Sequence, residues 1–135
     1  MSGRVLLYVE DEDAAFVLFE TAVRAAKIDV QLHRAADGEQ ALELLRRTNL
    51  DGSIRPDLVV LDLNLPRKNG FEVLTEIKNN DRLRTIKVIV FTSSSLSADK
   101  RKSLALGAQS FITKPFSFDS FVEAVKTACS YLPSE

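Results

Sequence analysis

Five short runs rich in β-branched and apolar residues, at positions 5–9, 30–34, 58–61, 88–91 and 110–113, alternate with longer segments whose apolar residues recur three and four apart. The runs at 5–9, 58–61 and 88–91 are almost continuously apolar, as expected of parallel strands covered by helices on both faces. The run at 30–34 carries Gln31, His33 and Arg34 and is expected at an edge, where one side meets water. Between the runs, Phe19, Ala22, Val23 and Ala26 form one helical stripe, Ala41, Leu44 and Leu45 a second, and Val73, Leu74 and Ile77 a third. Phe118, Phe121, Val122, Val125 and Cys129 form a fourth, each stripe being the buried face of an amphipathic helix. A helix over 37–48 would start at Asp37, with Gln40 three residues on in the manner of a capping box. The segment 98–106 is the poorest in apolar residues. Beyond Asp99-Lys100-Arg101-Lys102, only Leu104, Ala105 and Leu106 offer core contacts before Gly107 ends it, and a helix with so thin a stripe shifts at low cost.

Five strand-then-helix units without a linker, joined by right-handed crossovers, predict an open, doubly wound parallel sheet. Its ligand site lies at the carboxyl ends of the strands, where strand order reverses. The 135 residues suit one domain, 1–135, with no room for a second of ordinary size. With 18 Lys and Arg against 19 Asp and Glu, the chain lacks the concentrated positive surface that nucleic acid requires. Its two basic clusters, Arg82, Arg84 and Lys87, and Lys100, Arg101 and Lys102, read as solvated faces or partner rims. The longest apolar run is the six residues 14–19, against roughly 18 for a membrane span. Positions 5–9 pass at once into Glu10, Asp11, Glu12 and Asp13, unlike a signal peptide. Cys129 has no cysteine partner, which fits a reducing compartment, and a cytoplasmic protein is expected.

The predicted strands end in chemistry. The first runs into Glu10 and Asp11, the third into Asp62, the fourth into Thr92 and the fifth into Lys114. Carboxylates gathered on one rim of a sheet repel, and a bound cation relieves them. Oxygen ligands without His or Cys favour magnesium, which keeps several waters beside one or two carboxylates. His33 and Cys129 read as an exposed edge-strand residue and a small buried helix residue.

Glu10-Asp11, then Asp62 in LDLNLP, Thr92 closing VIVFT, and Phe111 with Lys114-Pro115 in FITKP together resemble the receiver domain of bacterial response regulators. The resemblance spans essentially the whole chain. LDLNLP and the extra loop at 49–55 are similar to the single-domain regulators paired with bacterial phytochrome histidine kinases. The resemblance implies a flavodoxin-like (βα)5 fold with strand order 2-1-3-4-5, in a two-component phosphorelay. Asp62 would be the phosphoacceptor, taking the phosphoryl group of a sensor histidine kinase. Glu10 and Asp11, with Asp62 and the Asn64 carbonyl, would hold Mg2+. Lys114 would pair with Asp62 or its phosphoryl group, aimed by a cis peptide at Pro115. Thr92 would donate its hydroxyl to a phosphoryl oxygen and free space for Phe111 to turn inward. The chain would be no enzyme beyond catalysing its own phosphorylation and slow dephosphorylation, with Asn64 and Ser94 tuning the lifetime.

Taken singly, Asp62 could cap a turn, Thr92 could end a strand and Phe111 could be plain core; three independent strands ending in the required residues by chance is improbable. Two departures stand out. Glu10 replaces the more usual Asp, its extra methylene placing the carboxylate farther out, with a metal contact through water. Phe111 replaces the more usual Tyr, so a switch there is read by packing. The signal would leave through the fourth helix, fifth strand and fifth helix, including Lys100, Arg101, Lys102 and Gln109, towards a second copy in a homodimer or another protein. Two rivals remain: a receiver-like binding module that works without phosphorylation, and a small phosphatase using Asp62 as nucleophile.

Overall fold

The computed structural model describes residues 3–48 and 55–134. Along the chain run β1 (Val5–Val9), α1 (Asp13–Ala25), β2 (Gln31–Ala35), α2 (Gly38–Arg46), β3 (Leu58–Leu61), α3 (Gly70–Lys78), β4 (Lys87–Thr92), α4 (Ser97–Ala105), β5 (Ser110–Thr113) and α5 (Phe118–Cys129). The strands form one parallel sheet in the order β2-β1-β3-β4-β5, the flavodoxin-like arrangement expected. Val9 pairs with Ala35 on one side and Leu61 on the other, and Leu61 with Val90. The residues just past β1 and β3 therefore lie side by side where strand order reverses. The extra loop at 49–55 lies, apart from Arg55, outside the described residues.

Strand alternation sorts the apolar side chains into two cores. Leu7, Val9, Val59, Leu61, Val88 and Val90 pack on one face against α2 and α3. Leu6, Tyr8, Leu58, Val60, Ile89 and Phe91 pack on the other against α1 and α5. Burying a Leu, Val or Phe contributes about 1.5–3 kcal/mol, so two covered faces explain why the central strands are apolar throughout. Edge strand β2 leaves His33 exposed, and Cys129 is buried in α5, its thiol pushed up to about 11 by that burial.

Local signals are honoured with small shifts. β2 starts one residue later than its pattern suggested, because Ala35, buried beside Val9, closes the ladder. Asp37 caps α2 by accepting from the Gln40 N–H at 2.8 Å, while the Gln40 side chain accepts from the Ala36 N–H. α3 has a full capping box, Asn69 with Glu72, which the sequence reading passed over. The contacts expected of α4 are corrected: Leu104 and Ala105 are exposed, and Ser103 alone is buried within that helix. Its apolar residues Ala98, Leu104 and Ala105 all face solvent, and Leu106, just past its end, packs against the core.

The cluster Arg82, Arg84 and Lys87 also resolves. The Arg82 guanidinium donates to the carbonyls of Thr48 and Arg46 at 3.1 and 3.4 Å, satisfying groups left open at the end of α2. Lys87 donates to the Tyr131 carbonyl at 3.4 Å.

Two glycines hold the helices close. A Cβ on Gly70 would come within 2.4 Å of the Asp62 carbonyl oxygen, and one on Gly38 within 2.3 Å of the Lys68 carbonyl oxygen. Among the described residues, no helix is long and apolar enough to cross a membrane.

Candidate functional site

Glu10 leaves β1 with its N–H donating to the Ala35 carbonyl at 3.0 Å, and Asp62 leaves β3 with its N–H donating to the Val9 carbonyl at 3.2 Å. The ladder thus carries both acids onto one rim. Lys114 follows β5, its N–H donating to the Thr92 carbonyl at 2.7 Å. Its ammonium lies 2.7 Å from Glu10 Oε1 and 3.2 Å from Asp62 Oδ2. The cis peptide expected at Pro115 is corrected, since no cis bond occurs among the described residues. The trans form is the intrinsically favoured one, and Lys114 is aimed instead by two carboxylates.

Glu10 is the larger surprise. Its carboxylate does not reach outward: the residue is 0% exposed. Oε1 accepts from Lys114 and from the Tyr8 hydroxyl at 3.1 Å, and Oε2 accepts from the Glu12 N–H at 3.3 Å. The extra methylene lets the carboxylate fold back beneath the rim.

Burial pushes the Asp62 carboxyl above the ordinary carboxylate range; Lys114 pulls it down and Glu10 pushes it up again. Burial also opposes the charge on Lys114, but Asp62 and Glu10 together hold that ammonium above its usual value. One ammonium therefore faces two carboxylates. Asp11, exposed and next to Glu10 in the chain, is a further acid of this turn.

The remaining expected residues are placed as follows. Asp11, the residue after Glu10, is exposed. Among the described residues, no three His, Cys, Asp or Glu side chains converge closely enough to hold a metal ion, because Glu10 turns inward while Asp11 faces out. Asn64 is exposed, and its N–H donates to Asp62 Oδ1 at 3.3 Å. Thr92 is buried, its hydroxyl accepting from the Ser94 N–H at 3.4 Å. The Ser94 hydroxyl donates to Asp99 Oδ2 at 2.6 Å, and the Ser94 carbonyl accepts from the Thr113 hydroxyl at 2.8 Å. Phe111 is half-buried against the core beneath α2 and α3. The donor set fits a hard cation that keeps most of its water: Asp11, Asp62 and the Asn64 carbonyl offer only oxygen.

Three side chains that the sequence reading passed over shape the rim. Tyr8 holds Glu10. Arg34 donates to the Glu10 carbonyl at 3.1 Å and to Asp13 Oδ1 at 2.6 Å, tying the edge strand to the acidic turn. Asp99 holds Ser94. Only Arg34 carried a signal, as a cation on a strand beside an acidic turn.

A doubly wound sheet with acids past β1 and β3 and a lysine past β5 defines a class of signalling module. The chain belongs to the response regulator receiver domain family, whose pattern matches residues 6–126; such domains are in general signalling proteins rather than enzymes. It is 35% identical over 127 residues to the probable methanogenesis regulatory protein FilR2 of Methanothrix harundinacea (strain 6Ac), covering 94% of this chain and 82% of that protein. It is 39% identical over 112 residues to response regulator Rcp1 of Synechocystis sp. (strain ATCC 27184 / PCC 6803 / Kazusa), covering 82% and 76%. The crystal structure of the Mn2+-bound form of Rcp1 superposes with a TM-score of 0.84 at 36% identity, covering 94% of this chain and 92% of that one. The phosphorylated cyanobacterial phytochrome response regulator RcpA superposes with a TM-score of 0.87 at 32% identity, covering 98% and 100%.

Proposed function

We propose that this chain is a cytoplasmic response regulator that accepts a phosphoryl group on Asp62 from a sensor histidine kinase of the phytochrome type. The observation that carries this is the Lys114 ammonium held between Asp62 and Glu10 at the point where strand order reverses. An Asp62 oxygen forms a bond to phosphorus as the phosphorus–nitrogen bond of a phosphohistidine breaks, its electron pair returning to the imidazole. Lys114 pairs with the product oxygens, and Thr92, freed from the Ser94 N–H, donates its hydroxyl to one of them. Asp11, Asp62 and the Asn64 carbonyl hold Mg2+, which when bound offsets charge on the transferring oxygens. Support for a divalent ion comes from the oxygen-only donors of the rim and from Mn2+ in the crystal structure of Rcp1; support for a phytochrome-type kinase comes from RcpA.

Movement of Ser94 with Thr92 reaches α4 through Asp99, and Phe111 turns inward by packing alone. The readout is the face of α4, β5 and α5, with Lys100, Arg101, Lys102 and Gln109, offered to a second copy or a downstream protein. Such a shift needs only a few kcal/mol of differential binding. Asn64 and Ser94 flank the path of an attacking water, so changing either alters the acyl-phosphate lifetime without abolishing phosphorylation.

The test is incubation with Mg2+ and acetyl phosphate or phosphoramidate, read by intact mass beside Asp62→Asn. One added phosphoryl group, lost in the variant, is the expected result. Absence of both phosphorylation and Mg2+ binding would replace this reading with a phosphorylation-independent binding module, which the inward turn of Glu10 favours.

A further inference from the structure

We infer that Tyr8 is a positioning residue that holds Glu10 as the resident counter-ion of Lys114 and keeps it out of the ligand set of the divalent ion; this rests on the receiver reading above. Tyr8 and Glu10 are two apart at the end of β1 and so lie on the same side of the sheet. The Tyr8 ring is 0% exposed. It stacks on Phe19 with centroids 4.2 Å apart, and Phe16 and Phe91 lie at 6.3 and 6.5 Å. A ring clamped this way cannot swing its hydroxyl elsewhere, and a buried phenol needs an acceptor. The acceptor is Glu10 Oε1, at 3.1 Å.

Lys114 shares that oxygen at 2.7 Å, and the Glu12 N–H occupies the other at 3.3 Å. Turning Glu10 out to a metal ion would strand the phenol without a partner and move Lys114's nearer carboxylate away from it. Leaving a buried donor unsatisfied is more costly than making an ordinary hydrogen bond is favourable. Asp11, exposed, pays no such penalty. The two acids of the pair thereby divide their work: Asp11 faces the ion, and Glu10 holds the lysine from below.

Titration of the full chain with Mn2+, followed by loss of the free-ion paramagnetic resonance signal, tests this on wild type, Tyr8→Phe, Glu10→Gln, the double variant and Asp11→Asn. Removing the phenol releases Glu10 to join the ion, so Tyr8→Phe is expected to bind Mn2+ about 3- to 10-fold tighter. That gain disappears in the Glu10→Gln background, which a mere packing role would not produce. Glu10→Gln alone weakens binding far less than Asp11→Asn. Unchanged or weaker binding by Tyr8→Phe, the same gain in both backgrounds, or Glu10→Gln matching Asp11→Asn overturns the inference while the receiver reading stands. Wild-type protein that binds no Mn2+ overturns both.

Discussion

Helices α4 and α5 flank the same strand, β5, and are held in opposite ways. α5 lays Phe121, Val125, Ala128 and Cys129 into the core, and the Phe121 ring sits 5.5 Å from that of Phe91. α4 buries Ser103 alone. Polar contacts hold α4: Ser94 with Asp99 at 2.6 Å, the Ser103 hydroxyl on the Asp99 carbonyl at 2.7 Å, and the Lys102 ammonium 4.2 Å above the Phe71 ring. Apolar burial is indifferent to small changes at the rim, whereas a hydrogen bond is made or lost within a fraction of an ångström. One helix anchors, and the other responds to whatever moves Ser94.

The contrast can be broken most forcefully at Phe121. Phe121→Ala is expected to remove about 3–5 kcal/mol of stability in urea unfolding; a loss no greater than that from variants in α4 would erase the distinction. On the rim past β3, Asp62→Asn is expected to stabilise rather than destabilise. The folded pKa of Asp62 lies above its unfolded value, so the folded state binds the extra proton and stability falls as pH rises from the ordinary carboxylate range through the folded pKa. The variant, unable to ionise there, keeps at neutral pH what wild type loses, and a lower melting temperature than wild type at pH 7 would contradict this. Asp99→Ala removes a hydrogen bond to a charged group, about 1.5–3 kcal/mol at most, discounted because both partners are only part-buried. Its sharper signature is faster amide exchange confined to α4, with α5 unaffected. Leu104→Ser, at an exposed site, should lie within about 0.5 kcal/mol of wild type; a larger loss would mean that α4 is packed after all.

Much of this contrast was legible in the sequence. Phe121, Val125 and Cys129 keep helical spacing, and Asp99-Lys100-Arg101-Lys102 interrupts it, so the anchored and the loose helix could be told apart. The meeting of Glu10, Asp62 and Lys114 on one rim followed from which residues end which strands, and the sheet order from the family resemblance those residues carry. Orientation was not legible. Whether a glutamate beside an aspartate points out or folds back depends on what lies beneath it, and the donor beneath Glu10 is a tyrosine in a strand whose apolar run makes it look like core alone. Leu104 and Ala105 misled for a related reason: apolar residues near a helix end count as core only if the helix turns them inward. The role of Asp99 was hidden by the charge run around it, which reads as a solvated face.

Gly70 carries a consequence for how this chain can change over generations. With the Asp62 carbonyl oxygen 2.4 Å and the Leu63 Cα 2.7 Å from where its side chain would begin, both obstacles are main chain and neither can yield by a rotamer change. Even alanine would have to push α3 away from the end of β3. The position is thus closed to drift, and this junction between β3 and α3 stays fixed while exposed positions elsewhere are free to vary.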